Sequence, residues 1–287
     1  MTLTVFFSTI YRPLRLRGRS PNTARLYACT IRAFARWLRH EPTLDDLTDL
    51  TISQYLEHRA AHRSAYTAEK ERTQLLALWR FAADRRLLEA RPCVPPAPLP
   101  ERTPTAWTVE QLRSLRRAAA ATRGVVGSIP AGVWYAALVS VLWESAERIG
   151  AVMACPAESF SAPHLTVVAE HRKGRRRDRT YTLTAETCEL LERARGKVRL
   201  LDWPWSKEYL WLRWKDVVAR AGLPRTARCG FHALRRSAAT HYAAAGGDST
   251  RLLDHDNPRT TRRWYLDPRM INVGPPPCDV LPRLAAD

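Results

Sequence analysis

The sequence has no G-x-x-x-x-G-K-[ST] loop, no G-x-G-x-x-G turn and no carboxylate cluster suited to two metal ions, so ATP use and Mg2+ chemistry on phosphate are not indicated. Its six cysteines (Cys29, Cys93, Cys155, Cys188, Cys229, Cys278) are scattered, without C-x-x-C or a Cys/His group at zinc-finger spacing. That speaks against a disulfide framework and a structural metal. No stretch approaches the length of a membrane span, and MTLTVFFSTIYRPLRLRGR puts its apolar piece before its basic residues, the reverse of a secretory signal. The chain is expected to be cytoplasmic, in a reducing compartment, with no cofactor, no metal and no membrane partner.

Acidic residues are also scarce: 28 Asp and Glu face 46 Lys and Arg, a net charge of +18. Such an excess repels itself unless an anion lies against it, and a nucleic-acid backbone is the commonest anion of that size. The 287 residues suffice for two domains, each with its own core.

From Ser20 to about Arg91 the pattern is helical. Ser20 and Asn22 are candidate N-caps, and Tyr27, Ile31, Phe34 and Leu38 recur at three- and four-residue spacing. Arg25, Arg32, Arg36 and Arg39 fill the intervening positions and give the helix a basic outer side, so Arg25, Arg32 and Arg36 are candidate DNA-binding residues. Residues 51–59 and the run Leu75, Leu78, Trp79, Ala82 mark two more helices, whose aromatics are assigned to packing. PCVPPAPLPERTP, residues 92–104, cannot continue a helix and reads as a linker between a helical domain, 1–91, and a second domain, 105–287.

The second domain opens with Thr108 and Gln111 at capping-box spacing, followed by an apolar helix from about Val133 to Trp143. Residues 164–184 change period: β-branched runs flank a Gly-containing polar tip, an antiparallel hairpin. Helices resume at Ala185 and continue to about Tyr265, and the Pro-rich tail is expected to be irregular. The fold class is mainly α with a small antiparallel β-hairpin or sheet.

What remains for chemistry is a set of cations in a fixed order. Arg148 follows an apolar helix, Lys173 stands at the hairpin tip, His232 and Arg235 lie one helical turn apart, and His255 precedes Tyr265 by ten residues. This order resembles the tyrosine site-specific recombinases, the phage integrase family with its Xer-like members. Their pattern is an arginine after a helix, a hairpin lysine, H-x-x-R, a later His or Trp and a tyrosine nucleophile. HALRRSAATHYAAAG, HDNPRTT and SPNTARLY extend the likeness over nearly the whole chain.

The resemblance implies a two-domain architecture: a helical core-binding domain and an α+β catalytic domain. It implies double-stranded DNA as partner and a homo-oligomer, tetrameric on DNA and monomeric or dimeric when free. The expected reaction is strand cutting and rejoining through a 3′-phosphotyrosyl bond. Arg148 and Arg235 would grip the phosphate, Lys173 would be the general acid, His232 would assist proton transfer at the tyrosine, His255 would bond the phosphate, and Tyr265 would attack. Arg172, Arg175, Arg176, Arg177 and Arg236 are expected to contact DNA. A recombinase-derived DNA-binding protein that no longer cuts, and a type IB topoisomerase-like relaxing enzyme, are the alternatives.

Three positions depart from the family pattern. Ala151 stands where an acidic residue is usual, three after the first arginine, and Asp254 replaces the glycine before His255. Position nine after His255 is Trp264, leaving Tyr265 one residue late. Taken rigidly, that offset turns the phenol by about 100° and moves it about 1.5 Å along a helix. A bulge, an early helix end or supply of the tyrosine to another protomer would absorb it. Tyr242, the other tyrosine nearby, is read as core.

Overall fold

The computed structural model describes residues 1–89, 91–172, 174, 177–224 and 229–271. They fall into two compact units, Met1–Arg102 and Thr103–Asp287. The expected hairpin-tip residues Lys173, Arg175 and Arg176, and the Pro-rich tail, lie outside the described residues.

The first unit is helical from its start. Residues Leu3–Phe6 (α1), a π turn over Phe7–Tyr11 and Arg12–Arg15 (α2) form one run that the sequence reading left unassigned. Leu3, Phe6, Phe7 and Tyr11 are buried there, the three- and four-residue spacing of an amphipathic helix. The π turn precedes Pro13, which has no N–H to give to a regular ladder. Helices α3 (Pro21–Leu38), α4 (Asp49–His62) and α5 (Ala65–Asp84) follow, capped by the side chains of Ser20, Thr48 and Ser64. Their apolar faces meet at Phe34, Ile52, Tyr55, Leu75, Leu78 and Trp79. Arg25, Arg32, Arg36 and Arg39 are exposed, the basic outer side expected of α3.

In the second unit Thr108 and Gln111 form the capping box of α6 (Val109–Ala120): Gln111 N–H donates to Thr108 Oγ1 at 3.3 Å, and Thr108 N–H to Gln111 Oε1 at 3.0 Å. After a two-stranded turn, β1 (Val125–Val126) with β2 (Ile129–Pro130), comes α7 (Ala131–Ser145), apolar almost all round and the central helix of the unit. Helices α6, α9 (Ala185–Ala194) and α11 (Phe231–Ala244) pack on it, and α10 (Lys207–Arg220) packs on α6. A four-residue helix, α8 (Ile149–Val152), leads to a three-stranded antiparallel sheet: β3 (Phe160–Ser161), β4 (His164–Val167) and β5 (Arg179–Thr182), in that order. The β4–β5 ladder pairs Val167 with Arg179 at its open end, so the expected hairpin lies between those residues. Its edge strand β3 was not anticipated, being only two residues long.

Short helices α12 (Ser249–Leu253) and α13 (Pro258–Tyr265) pack against α11. Asn257 caps α13 through Arg259 N–H at 2.9 Å, with Pro258 in the first turn. Tyr242, expected in the core, is instead 48% exposed, its ring lying over Gly247.

Candidate active site

Four segments of the second unit converge on one cleft. Its walls include Arg148, Arg172, Arg177, Asp254, His255 and Tyr265, and its volume is about 580 Å³. Arg148 is the N-cap of α8 and is half-buried. His232 and Arg235 are one turn apart on α11, His255 lies in the α12–α13 link, and Tyr265 ends α13. Five of the six residues expected to do chemistry are thus in one neighbourhood; Lys173 lies outside the described residues.

Tyr265 is the centre of the arrangement. Its hydroxyl is 2.9 Å from His232 Nε2, its ring centroid is 4.7 Å from that of His255, and the Arg235 guanidinium lies 5.6 Å over its ring. Neither the bulge nor the early helix end considered above is found in α13. Helix α13 is regular to Tyr265 itself, Trp264 is 41% exposed, and the chain leaves in extended form at Leu266. The helix is held in that rotation from both ends. Thr261 Oγ1 contacts His255 Nδ1 at 2.9 Å, and Thr240 Oγ1 donates to the Tyr265 carbonyl at 3.0 Å while accepting the Asp267 N–H at 3.1 Å. The phenol ring itself sits on Ala146, Ala238, Ala239 and Leu253.

Arg235 is 1% exposed, a buried cation that donates to the carbonyls of Ala146 and, at 2.7 Å, Leu253. Its Nε has no partner among the described residues. A buried donor left open costs roughly 1–3 kcal/mol, and an arriving oxygen acceptor removes that cost. Burial, with Arg148 close by, lowers the Arg235 pKa, although a guanidinium remains charged. Burial and the charges of Arg235 and Arg148 also hold His232 and His255 down to about 4. Both imidazoles are therefore neutral at pH 7, and a neutral imidazole nitrogen can accept a phenol proton.

Arg172 is not where a DNA contact was expected. It is 5% exposed, and its Nε donates to Glu147 Oε1 at 2.6 Å while its Nη1 donates to Asp254 Oδ2 at 2.8 Å. One buried and one half-buried carboxylate engage its N–H groups at the cleft wall. Arg177 remains exposed and also pairs with Asp254, its Nε donating at 2.8 Å. Of the five basic residues that surround Lys173 between Arg172 and Arg179, Arg172, Arg177 and Arg179 each lie within 4.0 Å of a carboxylate. Arg236 is half-buried and donates to the Thr105 carbonyl at 3.3 Å.

Glu147 was missed. It is 2% exposed and accepts from Arg172, from the Tyr181 hydroxyl at 2.7 Å and from the Arg148 N–H at 3.0 Å. Burial alone would raise its pKa, but Tyr181, Arg172 and Arg235 together lower it. The signal available was an acid at the end of an apolar helix, directly before the first arginine. The usual acidic position, Ala151, is buried and apolar. Asp254 takes a left-handed backbone, φ +55°, at the α12 C-cap, the conformation that favours the glycine usual there. Among the described residues no group of three His, Cys, Asp or Glu could hold a metal ion.

The second unit is thus mainly helical with a small three-stranded sheet, and its buried Arg235 lies beside Tyr265. Residues 108–270, more than half of the chain, match the phage integrase family, and residues 12–86 match its N-terminal SAM-like domain. The chain belongs to the phage integrase family, and its two-domain architecture is that of a tyrosine recombinase, Xer-like. Among solved structures it is similar to a lambda integrase (residues 75–356) dimer bound to a COC′ core site, with TM-score 0.68, 19% identity, and coverage of 90% of this chain and 96% of that one. It is also similar to the XerH recombinase bound to a difH substrate in a pre-cleavage complex (TM-score 0.66, 16% identity, 86% of this chain and 77% of that one). A third is the Tn1549 transposon integrase with a circular intermediate DNA (0.70, 13%, 92% and 95%). No curated protein matches by sequence. No helix among the described residues is long and apolar enough to cross a membrane.

Proposed function

We propose that the chain is a site-specific recombinase that cuts and rejoins duplex DNA through a 3′-phosphotyrosyl intermediate, with Tyr265 as nucleophile. The observation that carries this reading is the 2.9 Å contact between the Tyr265 hydroxyl and His232 Nε2, beside a cleft walled by Arg148 and His255. Tyr265 Oη attacks the phosphorus, and its proton passes to neutral His232. The bond from phosphorus to the 5′ oxygen breaks, and the Lys173 ammonium protonates the departing oxygen. Arg148 and Arg235 stabilise the added negative charge on the non-bridging oxygens, and His255 donates a hydrogen bond to one of them. Rejoining runs the same steps backwards from a new 5′ hydroxyl. One phosphodiester is exchanged for one phosphotyrosine, so the steps balance without an outside energy source.

The family, the exposed arginines of α3 and the net charge of +18 support duplex DNA as the partner. A similar fold is seen in a lambda integrase tetramer bound to a Holliday junction, which supports four protomers per synapse. The domains are taken as 1–91 and 105–287, with the Pro-rich segment 92–104 joining them.

The test uses duplexes that this chain selects from a randomised pool, nicked so that a released fragment diffuses away and traps the covalent adduct. Wild type should become attached to DNA, and Tyr265→Phe should not. Adducts persisting in Tyr265→Phe would refute the nucleophile. An absence of adducts in wild type on bound duplexes would leave a DNA-binding protein that does not cut. Lys173→Ala should slow cleavage with little change in affinity, and a 5′-bridging phosphorothiolate, whose sulfur leaves unprotonated, should restore it.

A further inference from the structure

Along the wall of the cleft runs an ion network that the reaction above leaves unused. Arg172 bridges Glu147 and Asp254 with two different edges of its guanidinium, at 2.6 and 2.8 Å. Glu147 is fixed further by the Tyr181 hydroxyl at 2.7 Å, and Asp254 by Arg177 Nε at 2.8 Å.

The sequence positions of the three are the clue. Glu147 immediately precedes Arg148, Arg172 immediately precedes Lys173, and Asp254 immediately precedes His255. Three segments from distant parts of the chain, which carry a phosphate-binding arginine, the general acid and a phosphate-bonding histidine, are therefore tied together at the neighbouring residue of each. The guanidinium is planar and always charged, so two carboxylates on its edges set both distance and angle between the backbones that bear them. A side chain that is nearly fully buried has no solvent to exchange for its partners, so the geometry is held.

We propose that Glu147, Arg172 and Asp254 form a positioning triad that sets the relative placement of Arg148, Lys173 and His255. The triad supplies, from one residue before the first arginine, the acid that the family pattern has three residues after it and that Ala151 lacks. It gives Asp254 a task that glycine could not perform. The inference rests on the reading of Lys173, Arg148 and His255 in Proposed function.

Glu147→Gln and Asp254→Asn keep shape and remove one charge each; Arg172→Lys keeps charge and removes the fork. Each is compared with wild type on the selected nicked duplexes, with either an oxygen or a bridging sulfur as 5′ leaving atom. Duplex affinity and the rate of covalent attachment are measured. Affinity should stay within about threefold, because one charge among many contributes little to binding. Attachment on the oxygen substrate should slow by ~10- to 100-fold, the scale of an ångström-sized misplacement. The sulfur substrate should recover a large part of the loss, because it no longer needs a correctly placed acid.

Wild-type rates in Glu147→Gln and Asp254→Asn, on a substrate where Lys173→Ala is slow, would overturn the triad. So would equal slowing on oxygen and sulfur substrates, the mark of a general loss of structure. If Glu147→Gln does not fold, Asp254→Asn at the open end of the network carries the same comparison. Wild type that binds the duplexes and never attaches overturns the functional reading and the triad with it; active wild type with unaffected variants overturns the triad alone.

Discussion

The two units of this chain use arginine in opposite ways. On α3, Arg25, Arg32 and Arg36 are exposed on the outer side of a helix whose inner side is ordinary apolar core. In the second unit Arg172 and Arg235 are 5% and 1% exposed, each held by two partners on different segments. An exposed arginine acts as one charge among several and tolerates replacement. A buried one acts through the direction of each N–H, and its removal leaves carbonyls or carboxylates without partners. A net charge of +18 therefore hides two populations, one adding up to a field and the other making a mould.

The contrast is broken most forcefully at Arg235. Arg235→Lys keeps the charge but cannot serve Ala146 and Leu253 while offering Nε to a phosphate. Covalent attachment should fall by ~1000-fold, as expected for a donor lost from a transition-state clamp, with duplex affinity close to that of wild type. Attachment near wild-type rates would mean that Arg235 is structural only.

Next in size is Arg172. Arg172→Met leaves Glu147 buried with its main cation gone, and unfolding in urea should show a loss of about 3–5 kcal/mol. The matched change Arg36→Met on α3 should lie within about 0.5 kcal/mol of wild type. Equal effects at the two positions would erase the distinction.

A third prediction concerns pH. His232 and His255 are held to about 4 in the folded chain, whereas an imidazole in an unfolded chain titrates near 6.5. Between those values the unfolded state binds more protons, so stability is full above about pH 6.5 and declines as pH falls toward 4. Thermal unfolding across that window should show the decline, and His232→Gln with His255→Gln should flatten it. A wild-type profile that is flat from 6.5 to 4.5 would contradict the neutral state of both rings. His232 keeps an exposed edge, which makes this effect smaller than those at the buried arginines.

The smallest effect belongs to α3. Arg25→Ala, Arg32→Ala and Arg36→Ala should each weaken duplex binding a few-fold on every sequence. Each should reduce the slope of log affinity against log salt by about 0.9 for every phosphate contact removed. A sequence-specific loss at one of them would place it on a base edge instead.

Much of the framework is legible from residue spacing. The capping box of Thr108 and Gln111, the α7 apolar run and the turn from α11 His232 to Arg235 need only local pattern. The N-terminal run escaped because Pro13 and the basic residues after it mask an amphipathic spacing that Leu3, Phe6, Phe7 and Tyr11 satisfy. Tyr242 was misread because a seven-residue spacing from Arg235 says only that two side chains share a face, and the far end of that face is open. The cations of the site could be ordered along the chain, yet no one-dimensional pattern shows that Arg172 meets Asp254 or that Glu147 meets it. Those facts depend on contacts between residues 25 and 82 positions apart. The register of Tyr265 was the hardest case, since counting from His255 ignores how Thr240 and Thr261 set the rotation of α13.

Asp254 stands at a left-handed helix end, a conformation that costs a residue with a side chain about 1–2 kcal/mol. Replacing it by glycine relieves that cost and at the same time releases Arg172 from one of its two carboxylates. The two contributions to stability have opposite signs, whereas the contributions to rate do not. Asp254→Gly is thus a position where a chain closer to the family pattern can hold its fold as well as before and react more slowly, so that resistance to heat and speed of cleavage part company at a single residue.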